Sequence, residues 1–203
     1  MKGKFITFEG IEGCGKSTQI KLLCEYLERK GIPFLSTREP GGTTIAEAIR
    51  RVILDPATPE MLPETELLLY SASRAQHTGE LILPAIAKGK MVISDRYYDS
   101  TYAYQGAARK LNTDFIDVLT RFATFGLQPH LTILLDLPAE EGLARIRERS
   151  LDRLEQEALS FHQKVREQFL VIAKKQQYRY LVLDASKAPE DLHRAVLKAL
   201  ELV

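Results

Sequence analysis

Residues 10–17 read Gly-Ile-Glu-Gly-Cys-Gly-Lys-Ser. This spacing fits Gly-x-x-x-x-Gly-Lys-Ser/Thr, a loop that wraps phosphates in backbone N–H groups. Gly10, Gly13 and Gly15 keep side chains out of the way and tolerate positive φ. Ile11, Glu12 and Cys14 complete the loop and Thr18 carries it into the next element. Lys16 is spaced to reach the β and γ phosphates of a nucleoside triphosphate, and Ser17 to place its hydroxyl on Mg²⁺. The expected ligand is therefore ATP with Mg²⁺, held by residues 10–18.

Four further groups of residues can do chemistry. Thr37-Arg38-Glu39-Pro40-Gly41-Gly42-Thr43 follows an apolar run, and Pro-Gly-Gly marks a turn. Tyr70 and Arg74 lie one helical turn apart, so an aromatic face and a guanidinium can meet one flat ligand. Asp95-Arg96 ends another apolar run, offering a carboxylate for Mg²⁺ and a guanidinium for a second phosphate. Residues 97–106 are dense in tyrosine, hydroxyl and amide groups, with Ser100, Thr101 and Tyr104 on one helical face and Gln105 one turn from Thr101.

Arg145, Arg149 and Arg153 are spaced i, i+4, i+8, which is one face of a continuous helix. Glu141, Glu148 and Glu155 could neutralise that face in solvent. Alternatively the arginines form a lid that brings positive charge to a transferring phosphoryl group. The four histidines read as solvated or internally satisfied and receive no role.

The elements that must position these groups follow from periodicity. Apolar β-prone runs occur at residues 5–8, 32–35, 91–94, 131–135 and 180–183, separated by helical patterns. That alternation predicts an α/β fold with a five-stranded parallel sheet and helices on both faces. Long helices are expected over residues 64–88, 112–125 and 154–175. Ligands in such sheets bind at the carboxyl ends of the strands, where each motif above falls. The chain reads as one domain, residues 1–203, with a small Arg-rich lid over about residues 145–155.

Composition is ordinary for a globular protein, and the net charge of +1 advertises no polyanion, so no nucleic-acid partner is expected. No run of eighteen apolar residues is present, so no membrane span is expected, and the early strand argues against a signal peptide. Cys14 and Cys24 are poorly placed for a disulfide, which fits a reducing cytoplasm.

Taken together, the sequence closely resembles the bacterial thymidylate kinases, nucleoside monophosphate kinases of the P-loop NTPase fold. The resemblance runs nearly end to end. It rests on Phe8-Glu9-Gly10-Ile11-Glu12-Gly13, on residues 37–43, on Asp95-Arg96-Tyr97 with residues 100–105, and on Leu151-Asp152-Arg153-Leu154-Glu155. It implies transfer of the γ-phosphate of ATP to dTMP, giving dTDP and ADP in dTTP biosynthesis. It also implies residue roles. Glu12 lies near the 3′-hydroxyl of the acceptor sugar. Tyr70 stacks on thymine and Arg74 bonds a thymine carbonyl. Ser100 and Thr101, with Gln105, face the base edge, while Tyr104 crowds the 2′ position. Arg96 holds the acceptor phosphate, assisted by Arg38 and Arg50, with Glu39 and Pro40 beside them. Asp95 and Ser17 serve Mg²⁺. Lys16 and the lid arginines Arg149 and Arg153, with Arg145 on the donor side, act on the transferring group. The family is typically homodimeric, so a homodimer is expected.

Departures from the family pattern are the lid near Ser150, one residue short with Ser for Gly, and Cys14 in place of Ala. Competing readings are a kinase for another nucleotide and a nucleotide-dependent switch. Against the switch, no Asn-Lys-x-Asp guanine-reading stretch occurs.

Overall fold

In the computed structural model, which describes residues 3–148 and 150–202, the strand β1 (Phe5–Glu9) is buried along its whole length. It lies at the middle of a five-stranded parallel sheet of order β2-β3-β1-β4-β5, formed with β2 (Phe34–Arg38), β3 (Met91–Asp95), β4 (Leu131–Asp136) and β5 (Tyr180–Asp184). The register pairs Phe8 with Asp95 on one side and with Ile133 on the other. The carboxyl ends of β1 and β3 therefore open at the same edge.

Helix α1 (Lys16–Arg29) connects β1 to β2. The connection from β4 to β5 runs through α7 (Ala139–Ile146) and α8 (Leu159–Lys175), with α9 (Pro189–Ala199) closing the chain. The two crossovers leave the sheet centre in opposite directions, so right-handed connections put α1 and α8 on opposite faces. The main core joins Ile6, Phe8, Ile93 and Ile133 to Leu23 and Leu27 of α1 and to Val165 and Phe169 of α8. Each such side chain contributes about 1.5–3 kcal/mol by leaving water.

Between β2 and β3 lie α2 (Thr44–Leu54), α3 (Pro63–His77), a wide turn over Thr78–Ile82 and α4 (Leu83–Ala87). After β3 come α5 (Tyr98–Thr101), a second wide turn over Tyr102–Ala108, and α6 (Thr113–Ala123), which Asn112 caps through the Phe115 N–H at 3.0 Å.

Several expected boundaries move, each for a local reason. β2 starts at Phe34 because the Ile32 N–H closes the end of α1 on the Leu27 carbonyl at 3.0 Å, and Pro33 has no N–H to give. The helix expected over residues 64–88 is interrupted by the wide turn before Pro84, again a residue without an N–H. The helix expected from residue 154 begins at Leu159. Here Asp152 Oδ1 accepts from the N–H groups of Leu154 (3.0 Å) and Glu155 (2.9 Å), a local turn that competes with helix. The continuous helix that would align Arg145 with Arg153 does not form, since α7 ends at Ile146.

Candidate active site

The loop from Gly10 to α1 has the backbone that its glycines permit. Gly15 is the N-cap residue of α1 with φ 97°, and no side chain caps the helix. The N–H groups of the first turn therefore point into the site, where the positive end of the helix favours an anion. The Lys16 ammonium donates to the carbonyls of Gly10 (3.1 Å) and Ile11 (2.9 Å) and lies 3.6 Å from Cys14 Sγ. The side chains of Ile11 and Cys14 belong to the core, so only their backbone can serve a ligand. Gly13 is a contact position. A Cβ there would fall inside contact distance of the Gly142 carbonyl in α7, which bars any side chain, cationic or not, at that place in the loop.

Opposite the loop, Arg96 follows β3 in a left-handed conformation with φ 71°, a strained geometry for a residue other than glycine. Its Nη1 donates to the Gly10 carbonyl (2.9 Å) and Ser100 Oγ (3.2 Å), and its Nη2 to Glu12 Oε1 (2.8 Å). These bonds use three of its five N–H groups. Its guanidinium also sits 5.1 Å from the centre of the Tyr104 ring, and the Tyr104 hydroxyl donates to Glu12 Oε1 at 2.6 Å. Burial alone would raise the Glu12 pKa. Arg96 above all, then His162, Lys16 and Tyr104, overcome burial and hold the carboxyl well below the usual carboxylate range.

Glu9, at the end of β1, went unnoticed as a single residue in the sequence. Its Oε1 accepts from the Tyr97 N–H and its Oε2 from Ser100 Oγ, at 2.8 and 2.7 Å. Complete burial, aided by Asp99, pushes its pKa up to about 8 against the pull of Arg96 and these hydrogen bonds. Glu9 thus braces Ser100 from behind, in surroundings that favour its protonated form.

At the far end of the site α3 presents Tyr70 and Arg74. Arg74 is buried and donates from Nε to Glu39 Oε2 (2.8 Å), from Nη1 to Thr101 Oγ1 (2.9 Å) and from Nη2 to the Tyr97 carbonyl (3.3 Å). His77 shares hydrogen bonds with Glu39 Oε1 (3.1 Å) and Thr37 Oγ1 (2.7 Å), so this histidine is internally satisfied. Gln105 donates to Glu66 Oε1 at 2.8 Å. Near the rim, Arg38 donates to both oxygens of Glu47, Arg50 donates to the Pro40 carbonyl at 2.8 Å, and the Glu39–Pro40 peptide is cis.

One cavity of about 490 Å³ joins these groups. Its walls include Glu12, Gly13, Gly15, Lys16, Ser17 and Thr18 from the loop, and Asp95, Arg96, Ser100, Thr101, Tyr104 and Gln105 from the segment after β3. Arg38, Glu39, Pro40, Arg50, Tyr70 and Arg74 line the remaining side, and Arg145 overhangs it. Ser17 and Asp95 bring a hydroxyl and a carboxylate to the same space, an oxygen pair suited to Mg²⁺ beside phosphates. Sequence reasoning missed Leu54, Ile146, Asp152, Leu154 and Glu155 as wall residues. The apolar ones carried no signal distinguishing them from core.

Arg145 and Arg153 separate. Arg145 is exposed and donates from Nη1 to the Gly13 carbonyl at 3.2 Å. Arg149 lies outside the described residues. Arg153 does not line the cavity. It is buried, with Nε on the Ile53 carbonyl (2.9 Å) and Nη2 on Glu66 Oε2 (2.6 Å).

The family model described as thymidylate kinase matches residues 8–196. The chain belongs to the thymidylate kinase family. The thymidylate kinase of Carboxydothermus hydrogenoformans is 53% identical over 193 residues, covering 95% of this chain and 94% of that protein. That of Pelotomaculum thermopropionicum is 47% identical, covering 100% and 95%. The crystal structure of thymidylate kinase from Ehrlichia chaffeensis superposes with a TM-score of 0.82 at 33% identity, covering 99% of this chain and 100% of that one. The likeness to these thymidylate kinases therefore takes in residues 10–18, 95–105 and 145–155 together.

Proposed function

We propose that this chain transfers the γ-phosphate of ATP to dTMP, giving dTDP and ADP. The observation that carries the reading is the single cavity in which a phosphate loop faces Arg96, Glu12 and Tyr104, with Tyr70 and Arg74 at its far end. ATP is bound by the backbone of residues 10–18 at the start of α1. Ser17 and Asp95 hold Mg²⁺, which when bound neutralises phosphate charge. Arg96 takes the acceptor phosphate through its remaining N–H groups, with Arg38 and Arg50 at the rim. Tyr70 stacks on the thymine, while Arg74, Ser100, Thr101 and Gln105 address its edge. Glu39 acts through Arg74. Glu12 accepts a hydrogen bond from the 3′-hydroxyl, and the Tyr104 ring crowds the 2′ position.

The nucleophile is a phosphate oxygen, already largely deprotonated at pH 7, so no general base is needed. Catalysis reduces to holding two phosphates in line and stabilising the transferring group with Lys16 and Arg145. Arg153 serves as the anchor of the lid segment.

We also propose a homodimer that covers the stripe Phe115, Val118, Phe122 and Phe125, all more than half exposed at or just after α6. Light scattering should give twice the chain mass, and Phe122→Glu half that value. Both cysteines are free, which suits the cytoplasm; among the described residues no helix is long and apolar enough to cross a membrane.

The test of the reaction is ADP release from Mg-ATP with dTMP, against deoxythymidine and AMP. Turnover with dTMP alone supports the proposal, and turnover with AMP in its place overturns it.

A further inference from the structure

Glu12 is gripped on one oxygen only. Oε1 accepts from Arg96 and Tyr104, whereas Oε2 is buried and has no hydrogen-bond partner among the described residues. Facing it is His162 on α8, fully buried, with neither ring nitrogen hydrogen-bonded among the described residues. Its Nδ1 lies 3.3 Å from Glu12 Oε2. Two of these orphaned atoms, Glu12 Oε2 and His162 Nδ1, face each other, and a small rotation that joins them removes the cost of both.

The elements that carry the pair make the contact informative. α8 packs against the wide turn Tyr102–Ala108, which carries Tyr104. Tyr104 and His162 therefore reach Glu12 from one packed unit, while Arg96 reaches it from the end of β3. A histidine serving only as filler would be replaced at no cost by an apolar side chain of similar volume. A carboxylate that must present one oxygen to a ligand needs its rotamer fixed.

We infer that His162 is the positioning residue for Glu12, donating from Nδ1 to Oε2 and so fixing the carboxylate that reads the acceptor sugar. This rests on the reading of Glu12 as partner of the 3′-hydroxyl. His162 does not line the cavity, so its effect passes through Glu12 and is confined to acceptors that carry the 3′-hydroxyl.

The experiment compares dTMP with 2′,3′-dideoxythymidine monophosphate in wild type, His162→Phe, His162→Asn, Glu12→Gln and the His162→Phe/Glu12→Gln double variant. The ratio of kcat/KM for the two acceptors is independent of how much protein is correctly folded. His162→Phe should lower kcat/KM for dTMP about tenfold, mostly through KM, while changing the dideoxy acceptor less than about twofold. Asn places an N–H near the position of Nδ1, so His162→Asn should stay within about threefold of wild type. In the Glu12→Gln background His162→Phe should have little further effect. A His162→Phe loss that is equal for both acceptors, or that multiplies with Glu12→Gln, overturns the inference. If wild type does not distinguish the two acceptors, the 3′-hydroxyl reading fails by itself. The cycle with Glu12→Gln then still decides whether His162 acts through Glu12.

Discussion

Arg153 Nη2 donates to Glu66 Oε2 at 2.6 Å, in a cluster where Glu66, fully buried, also accepts from Gln105 and Arg109. Burial would raise the Glu66 pKa, but Arg109, Gln105 and Arg153 lower it, so the carboxylate stays charged. This pair ties the turn at residues 152–155 to α3. Arg153→Ala leaves Glu66 paired with Arg109 and Gln105 but removes the Arg153 bonds to Glu66 and to the Ile53 carbonyl, at about 1–3 kcal/mol. It should therefore lower the melting temperature by about 2–12 °C. Arg145→Ala, at an exposed position, should leave melting unchanged and lower kcat at least about tenfold. Thermal unfolding and steady-state kinetics on the same two variants check both statements.

Lys16 sits where the loop meets α1, and among the described residues its ammonium bonds only loop groups. Lys16→Ala should lower kcat by about 10³-fold or more, because the charge is needed chiefly in the transition state. Circular dichroism should show the same fold. Retention of most activity would mean that another cation does this work.

Tyr104 reaches Glu12 through its hydroxyl and Arg96 through its ring. Tyr104→Ala removes the ring that we propose crowds the sugar. The kcat/KM ratio of UMP to dUMP, which differ only at the 2′ position, should rise about tenfold or more. An unchanged ratio would assign sugar discrimination elsewhere.

The sequence made the chemistry near the chain's glycines and charged pairs legible, because a phosphate loop is a local pattern. It also showed five strands, since apolar runs mark them wherever they pair. What it did not show depends on distant contacts. Periodicity put Arg145 and Arg153 on one face, but α7 ends at Ile146, the Asp152 side chain holds a local turn with Leu154 and Glu155, and Glu66, far away in sequence, draws Arg153 inward. The bar on a side chain at Gly13 comes from Gly142, invisible until α7 is packed against the loop. His162 looked like an ordinary helix histidine for the same reason, since Glu12 is its neighbour only in three dimensions.

Glu9 gives a pH signature. The side chain ionises near 4.5 in the unfolded chain and near 8 in the folded one. Between these values the native state keeps a proton that the unfolded state has released. This contribution is therefore full below about pH 4.5 and is lost as pH rises toward 8. Glu9→Gln, which cannot ionise, should remove that slope and gain stability relative to wild type at pH 8 by about 2–4 kcal/mol. Urea unfolding of both proteins at pH 5 and pH 8 measures the difference. A gain that is the same at both pH values would show that Glu9 ionises normally.

The most direct test of the account is a competition in one vessel. Mg-ATP is supplied with equal amounts of dTMP, dUMP, UMP, dCMP and AMP, and the products are separated by chromatography. The account predicts dTDP as the dominant product, a minor yield of dUDP and no UDP, with ADP equal to the sum of dTDP and dUDP. A different leading diphosphate, or ADP formed without any new diphosphate, would contradict it.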